Sequence, residues 1–185
     1  NMTGMLLTHY ILDARKKTGT LPADGFVVKS IVTTEMVRPM TEEYGVELRD
    51  VLTGFKYIGQ QILRSEQSGK GSFLFGFEES YGYLCGTYAR DKDAVSASML
   101  ICEMAAICKA QGVSLIDHLE ALYQKYGYYK EAVVSMAFEG IEGAAKMKEI
   151  MAQMRSNPKA SYAGLKVVAV EDYLAGFKDY PKSDA

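Results

Sequence analysis

The chain has 185 residues, 48% of them apolar or aromatic, with 21 lysines and arginines against 23 acids and a formal charge of −2. That apolar share is too high for a disordered chain and is enough for a packed core in one ordinary domain with a short attachment. A charge so near zero excludes the concentrated basic face that nucleic acid or an anionic membrane would need as a main partner.

The chain starts on Asn1-Met2-Thr3-Gly4-Met5-Leu6, already inside a predicted helix, as expected of a piece cut from a longer protein. That helix runs over Gly4–Lys17, with Met5, Leu6, His9 and Leu12 near helical spacing and Thr18-Gly19 closing it. Phe26–Thr33 is β-branched and predicts a buried strand. A helix follows over Glu35–Tyr44, with Thr34 as its cap, Pro39 near its start and Gly45 at its end. Val46–Leu52 reads as a short strand, Thr53-Gly54 as a turn and Phe55–Arg64 as a helix. Gln67–Gly71 is a loop, and Ser72–Phe77 is the next strand.

Alternating strands and helices imply a sheet with parallel pairs covered by helices. Glu78–Asp93 is polar and aromatic without a clear period. A helix is predicted over Ala94–Gln111, with Ile101, Met104, Ala105 and Cys108 on one face, and Gly112 stops it. Ser114-Leu115-Ile116-Asp117 resembles a capping box opening a helix that carries Leu115, Leu119 and Leu122. Tyr128–Phe138 reads as an antiparallel strand, Ile141–Met154 as a helix and Leu165–Val170 as a last strand before a polar tail from Asp172. The expected class is α/β: a layered domain whose mostly parallel, mixed sheet of about four strands is covered by helices.

Cys85, Cys102 and Cys108 show no C-x-x-C spacing, and His9 and His118 are the only histidines. Neither a structural zinc site nor a secreted disulfide framework is expected, which favours a cytoplasmic setting. No run approaches the ~18 apolar residues of a membrane span, and no basic segment followed by an apolar one marks an export signal. Gly69-Lys70-Gly71-Ser72 has neither the spacing nor the strand-to-helix setting of a phosphate cradle. Asp91-x-Asp93 is too sparse for Mg²⁺ and reads as capping and surface pairing, although Arg90 and Lys92 beside a helix start could hold a phosphate.

The densest chemistry is Gly76-Phe77-Glu78-Glu79-Ser80-Tyr81-Gly82-Tyr83, leaving the end of a strand where α/β sheets place ligand crevices. In extended backbone Glu78 and Ser80 point to one side, ~7 Å apart, and Glu79 to the other. A carboxylate accepting two hydroxyl donors, beside a serine that donates or accepts, suits the vicinal hydroxyls of a sugar.

Thr53-Gly54-Phe55-Lys56-Tyr57-Ile58-Gly59, then Gly76-Phe77-Glu78-Glu79-Ser80-Tyr81-Gly82, then Arg90-Asp91-Lys92-Asp93 resemble the α-D-phosphohexomutase family, in its phosphoglucomutase/phosphomannomutase branch. Val28–Thr34 matches the start of that family's third domain, and Lys166–Tyr173 looks like the lead-in to the fourth. The resemblance implies a third domain over 1–158 and a connecting strand and tail over 159–185. It implies a cytoplasmic, four-domain Mg²⁺ enzyme that interconverts hexose 1-phosphate and hexose 6-phosphate through a bisphosphate intermediate, with a hexose bisphosphate as activator.

In that scheme the third domain grips the sugar. By motif position Glu78 and Ser80 bind hydroxyls, Thr53 and Gly54 lie in the neighbouring loop, Lys92 is a basic contact and Lys29 is a further carry-over. The family's phosphoserine segment, its Asp-Gly-Asp-Gly-Asp-Arg metal loop and its Arg-x-Ser-Gly-Thr phosphate clamp are absent from this sequence, and Ser156-Asn157-Pro158 is only a chance echo of the first. No catalytic residue and no metal site is therefore expected in this chain, and its partners are a phosphorylated hexose and the other domains of the same polypeptide. The alternative is a stand-alone module that recognises a hexose phosphate without catalysis.

Overall fold

Three strands pair in parallel, the β-branched and aromatic β1 (Gly25–Ser30), the more polar β2 (Glu47–Val51) and the aromatic β3 (Ser72–Glu78). A fourth, β4 (Gly82–Cys85), pairs antiparallel with β3, and the sheet order is β2-β1-β3-β4. The structure is a computed structural model that describes residues 1–131, 136–168, 170–173 and the backbone of 177–179. Its chain divides into two units, 1–131 and 132–185, and the sheet belongs to the first.

Helices cover both faces of this sheet. On one lie α1 (Met2–Lys17), α2 (Val37–Tyr44), α4 (Ala94–Ala110) and α5 (Leu115–Tyr126), whose Met5, Leu7, Leu12, Met40, Met104 and Leu122 pack with Val27, Phe75 and Phe77. On the other lies α3 (Phe55–Ser68), with Phe55, Ile58 and Ile62 against Phe26, Val28, Val51 and Phe73. The mixed, mostly parallel α/β layering read from the sequence is the architecture found. Leu74 is an extra residue on β3 where the register with β1 shifts, so both Leu74 and Phe75 join the larger core. Among the described residues no single helix is long and apolar enough to cross a membrane.

Several predicted boundaries move. β1 ends at Ser30 rather than Thr33 because the chain turns there, with the Thr33 hydroxyl donating to the Ser30 carbonyl at 2.7 Å. Thr34 Oγ1 accepts from the Met36 amide at 3.2 Å, so it caps a turn ahead of α2 and the helix begins at Val37. α3 continues to Ser68, where Gly69 at φ 63° closes it. The capping box forms as expected, Ser114 Oγ accepting from the Asp117 amide at 3.1 Å and Asp117 Oδ2 from the Ser114 amide at 2.8 Å.

The strand predicted over Tyr128–Phe138 is absent from 128–131 and 136–138, and 132–135 lie outside the described residues. The aromatic rings that suggested it instead cover α5: Tyr128 stacks on Tyr123 with centroids 5.2 Å apart, and its hydroxyl donates to Glu120. The second unit holds α6 (Gly140–Ser156) and two small hairpins, β5 (Ser161–Tyr162) with β6 (Leu165–Lys166) and β7 (Val170–Asp172) with β8 (Phe177–Asp179). The predicted strand Leu165–Val170 is thus split between two hairpins, with Ala169 outside the described residues.

Candidate functional site

Parallel strands deliver their following loops to one edge of the sheet, and here those loops start after Ser30, Val51 and Glu78. Glu78 is the last residue of β3 and only 5% exposed. A tight turn over residues 79–81 leads straight into β4, so Glu78 pairs with Gly82 across it. Gly82 lacks a side chain for a reason: a Cβ there would sit 2.8 Å from Glu78 Cγ and Oε1 and 3.0 Å from the Phe55 ring. This hairpin falls within the stretch in which the sequence showed no period, because a four-residue strand is too short to display one.

The Ser80 hydroxyl donates to Glu78 Oε1 at 2.8 Å. The two groups are in direct contact rather than spaced ~7 Å apart along extended backbone, because the chain turns immediately after Glu78. Lys92 Nζ lies 3.7 Å from the same Glu78 oxygen and 5.4 Å from the Phe55 ring centroid. The adjacent Asp91 carboxylate, 3.1 Å from Nζ, holds the Lys92 ammonium above its ordinary range, and Lys92 stays charged. Glu78, Ser80, Lys92, Phe55 and Gly82 thus form one group around a buried carboxylate. A carboxylate offers about four acceptor positions, so the Ser80 bond leaves capacity for further hydroxyl donors.

Thr53 and Gly54 follow β2, with β1 between them and β3, so strand spacing alone puts them roughly 10 Å from the Glu78 group. They line the same edge and connect to the group through Phe55, the first residue of α3. Gly54 takes φ 116°, a conformation that favours glycine, and no side chain caps the helix it opens.

Arg90, which could hold a phosphate by its place beside a helix start, is paired within the chain. Its guanidinium is bound to both Glu66 oxygens at 2.6 Å and to the Thr87 carbonyl at 2.5 Å. Its own carbonyl lies where a Cβ on Gly59 would be, 2.7 Å away, so the loop rests on α3 at that glycine. Asp93 caps α4, accepting from the Val95 amide at 2.9 Å. The chain spacing gave no sign of the Arg90–Glu66 pairing, which brings together residues from separate elements. We expect Gly59→Ala to push this loop off α3 and to speed hydrogen exchange at the Lys92 and Asp93 amides, although alanine is the better helix former. Unchanged exchange at those amides would refute this packing argument.

Lys29, carried over as a substrate contact, is fully buried and already committed, 2.7 Å from Glu35 Oε1 and 2.8 Å from Asp50 Oδ1. Arg38 completes this network, contacting Glu35 at 2.8 Å and Asp50 at 2.6 Å. Burial alone would raise the Asp50 carboxyl, but the Lys29 and Arg38 cations bonded to it outweigh that and hold it below the ordinary range. The network ties the loop after β1 to β2. Elsewhere, the glycine loop at 69–71 meets an acid, Asp24 Oδ2 accepting from the Gly71 amide at 2.9 Å, which does not suit an anion.

The histidines pack ring against ring between α1 and α5, centroids 5.1 Å apart, and burial first, then His118, lowers His9 to about 4. Among the described residues no group of three or more His, Cys, Asp or Glu side chains is placed to hold a metal ion. The Mg²⁺ that the resemblance implies therefore finds no ligand set among the described residues.

The family model for phosphoglucomutase/phosphomannomutase, alpha/beta/alpha domain III, matches residues 1–126. A phosphoglucomutase of Staphylococcus aureus strain MRSA252 is 40% identical over 174 residues, 94% of this chain, and one of strain MSSA476 is 39% identical over the same length. The chain spans 30% of the length of these relatives. A solved protein of Thermus thermophilus, assigned as a phosphomannomutase, shares the fold at a TM-score of 0.52 and 21% identity, over 74% of this chain and 30% of that one.

Proposed function

The chain belongs to the phosphoglucomutase/phosphomannomutase family as its α/β/α domain III, and from that premise we propose that it is the sugar-binding part of an enzyme interconverting hexose 1-phosphate and hexose 6-phosphate through a bisphosphate. The observation that carries the reading is the buried Glu78 carboxylate at the carboxyl edge of the sheet, bonded to Ser80 and faced by Lys92.

In this reading Glu78 accepts hydrogen bonds from sugar hydroxyls. Ser80 orients that carboxylate, and its oxygen accepts from a hydroxyl in turn. Lys92 offsets the buried negative charge and presents a cation to the ligand's phosphate, while Phe55 packs beneath it. Thr53 and Gly54, on the loop after β2, form the far side of the crevice. Grip of this kind holds a sugar while it presents one end and then the other for transfer, and in-line phosphoryl transfer depends chiefly on such positioning and on charge neutralisation.

The phosphoserine, the Mg²⁺ loop and the phosphate clamp belong, in this proposal, to the other domains of a longer polypeptide. Residues 1–158 form the third domain and 159–185 lead toward the fourth. The setting is the cytoplasm, with a hexose bisphosphate as activator. Most of the binding energy for a phosphosugar then lies outside this chain.

The test uses the chain itself, ¹⁵N-labelled and titrated with glucose 1-phosphate into the tens of millimolar. Amide shifts should concentrate at residues 78–82 and at Lys92. Glu78→Gln keeps the shape but removes a charged acceptor, which should weaken the response about tenfold or more. Shifts scattered elsewhere, or none, would overturn the reading. Submillimolar binding would instead favour a self-sufficient recognition module. The pure chain should show no mutase turnover with Mg²⁺ and glucose 1,6-bisphosphate, and measurable turnover would refute the division of labour proposed.

A further inference from the structure

Glu79 lies between the two residues assigned to the sugar, and its carboxylate is engaged with neither. Its Oε2 accepts from Ser30 Oγ at 2.6 Å, a contact between residues 49 apart in the chain. Ser30 is a firm anchor. It is 1% exposed, ends β1 between β2 and β3, and its carbonyl accepts from both the hydroxyl and the amide of Thr33, at 2.7 and 3.2 Å.

The turn over 79–81 needs such an anchor. Beyond it lies only a four-residue edge strand, Ser80 itself is exposed, and Tyr81 is a non-glycine residue at φ 60° with 85% of its surface in solvent. A left-handed conformation of that kind persists only when surrounding structure fixes it. A hydroxyl-to-carboxylate bond is among the stronger short hydrogen bonds available to do so.

We infer that Glu79 is a positioning residue: through its bond to Ser30 it locks the turn to the central strand and so fixes the Ser80 hydroxyl against Glu78. This rests on the sugar-binding reading above, and Glu79 itself does not touch the ligand. Preorganising two polar groups on a turn lowers the ordering cost that the ligand would otherwise meet on binding.

The experiment is the same glucose 1-phosphate titration of the ¹⁵N-labelled chain, with hydrogen exchange of the Ser80 and Tyr81 amides measured without ligand. Glu79→Ala should weaken binding about tenfold and speed that exchange. Ser30→Ala should match it, and the double variant should lose no more than either single one, because all three remove the same bond. Glu79→Gln should stay close to the unsubstituted chain, since its amide oxygen still accepts from Ser30. If Glu79→Gln behaves like Glu79→Ala, charge rather than the bond is responsible and the inference fails. It also fails if the unsubstituted chain responds to glucose 1-phosphate and Glu79→Ala responds equally. If the unsubstituted chain does not respond at all, the sugar-binding reading itself is overturned and the inference with it.

Discussion

Lys29→Met should destabilise the chain by about 3 kcal/mol, the lower end of the cost of breaking a buried ion pair, and lower its thermal midpoint by about 10 °C. The size follows from burial. Lys29 is fully buried while Asp50, its partner on β2, has a side chain only 16% exposed, so removing the ammonium leaves a carboxylate that water cannot fully reclaim. Arg38, still 2.6 Å from Asp50 Oδ2, supplies part of the lost compensation and keeps the effect from being larger. Asp50→Asn added to Lys29→Met should restore part of the loss, because it removes the charge left behind.

Arg90→Met breaks an exposed pair with Glu66 and should change stability by no more than about 1 kcal/mol. Thermal unfolding followed by circular dichroism ranks these variants. A Lys29→Met midpoint no lower than that of Arg90→Met would contradict the burial argument.

The same network sets a pH dependence. The Asp50 carboxyl is held below its ordinary range in the folded chain. Its contribution is therefore fully present above the unfolded value of about 3.9 and is lost as pH falls through the lower folded value. In Lys29→Met the largest opposing cation is gone while burial remains, so the Asp50 carboxyl moves upward toward or past its unfolded value, and its share of the acid loss of stability shrinks or reverses. Midpoints recorded between about pH 7 and pH 3 should show the gap between the unsubstituted chain and the variant narrowing as pH falls, and a gap that does not narrow would exclude Asp50 as the group responsible.

Phe77→Ala should cost about 3–5 kcal/mol, the range for a fully buried phenylalanine. Phe77 has no exposed surface and stacks on Phe75 with centroids 5.9 Å apart, on the strand that ends in Glu78. A second substitution sharpens the test. Gly4, in the first turn of α1, lies so close that a Cβ there would be 2.3 Å from Phe77 Cδ2. Gly4→Ala alone should therefore destabilise by about 1–3 kcal/mol through overpacking.

In the Phe77→Ala background the same methyl enters the vacated space. The double variant should then be more stable than the sum of the single effects by about 1 kcal/mol or more. Urea unfolding of the four proteins measures this coupling. Additive effects would mean that Gly4 and Phe77 do not share one space. Because Glu78 directly follows Phe77, the cavity variant should also lose hydrogen-exchange protection at the Glu78 amide.

Local pattern was enough to read most of the fold and the centre of the candidate site. Short apolar runs alternating with helical periods implied β1 to β3 and their covering helices, since parallel strands need crossovers and crossovers of this length are helices. Ser114 and Asp117 read as a capping box because that chemistry spans only four residues. Glu78 and Ser80 were legible for the same reason, lying two residues apart at a strand end.

What the sequence could not settle depends on residues far apart in the chain. Lys29 is a carry-over from the resemblance until Glu35 and Asp50 close on it in the fold, and Arg90, which could hold a phosphate, is paired there with Glu66. The aromatic run from Tyr128 reads as a strand, but a strand needs a ladder partner, and its rings found α5 instead. Glu79 differs from Glu78 only by its distant partner, Ser30. The sequence by itself determined the layered α/β class and the chemical groups at the sheet edge, because periodicity and motif spacing are local. Only the tertiary structure decided which charged groups are already paired and which remain open to a ligand, because that depends on which strand and which helix come to lie beside each one.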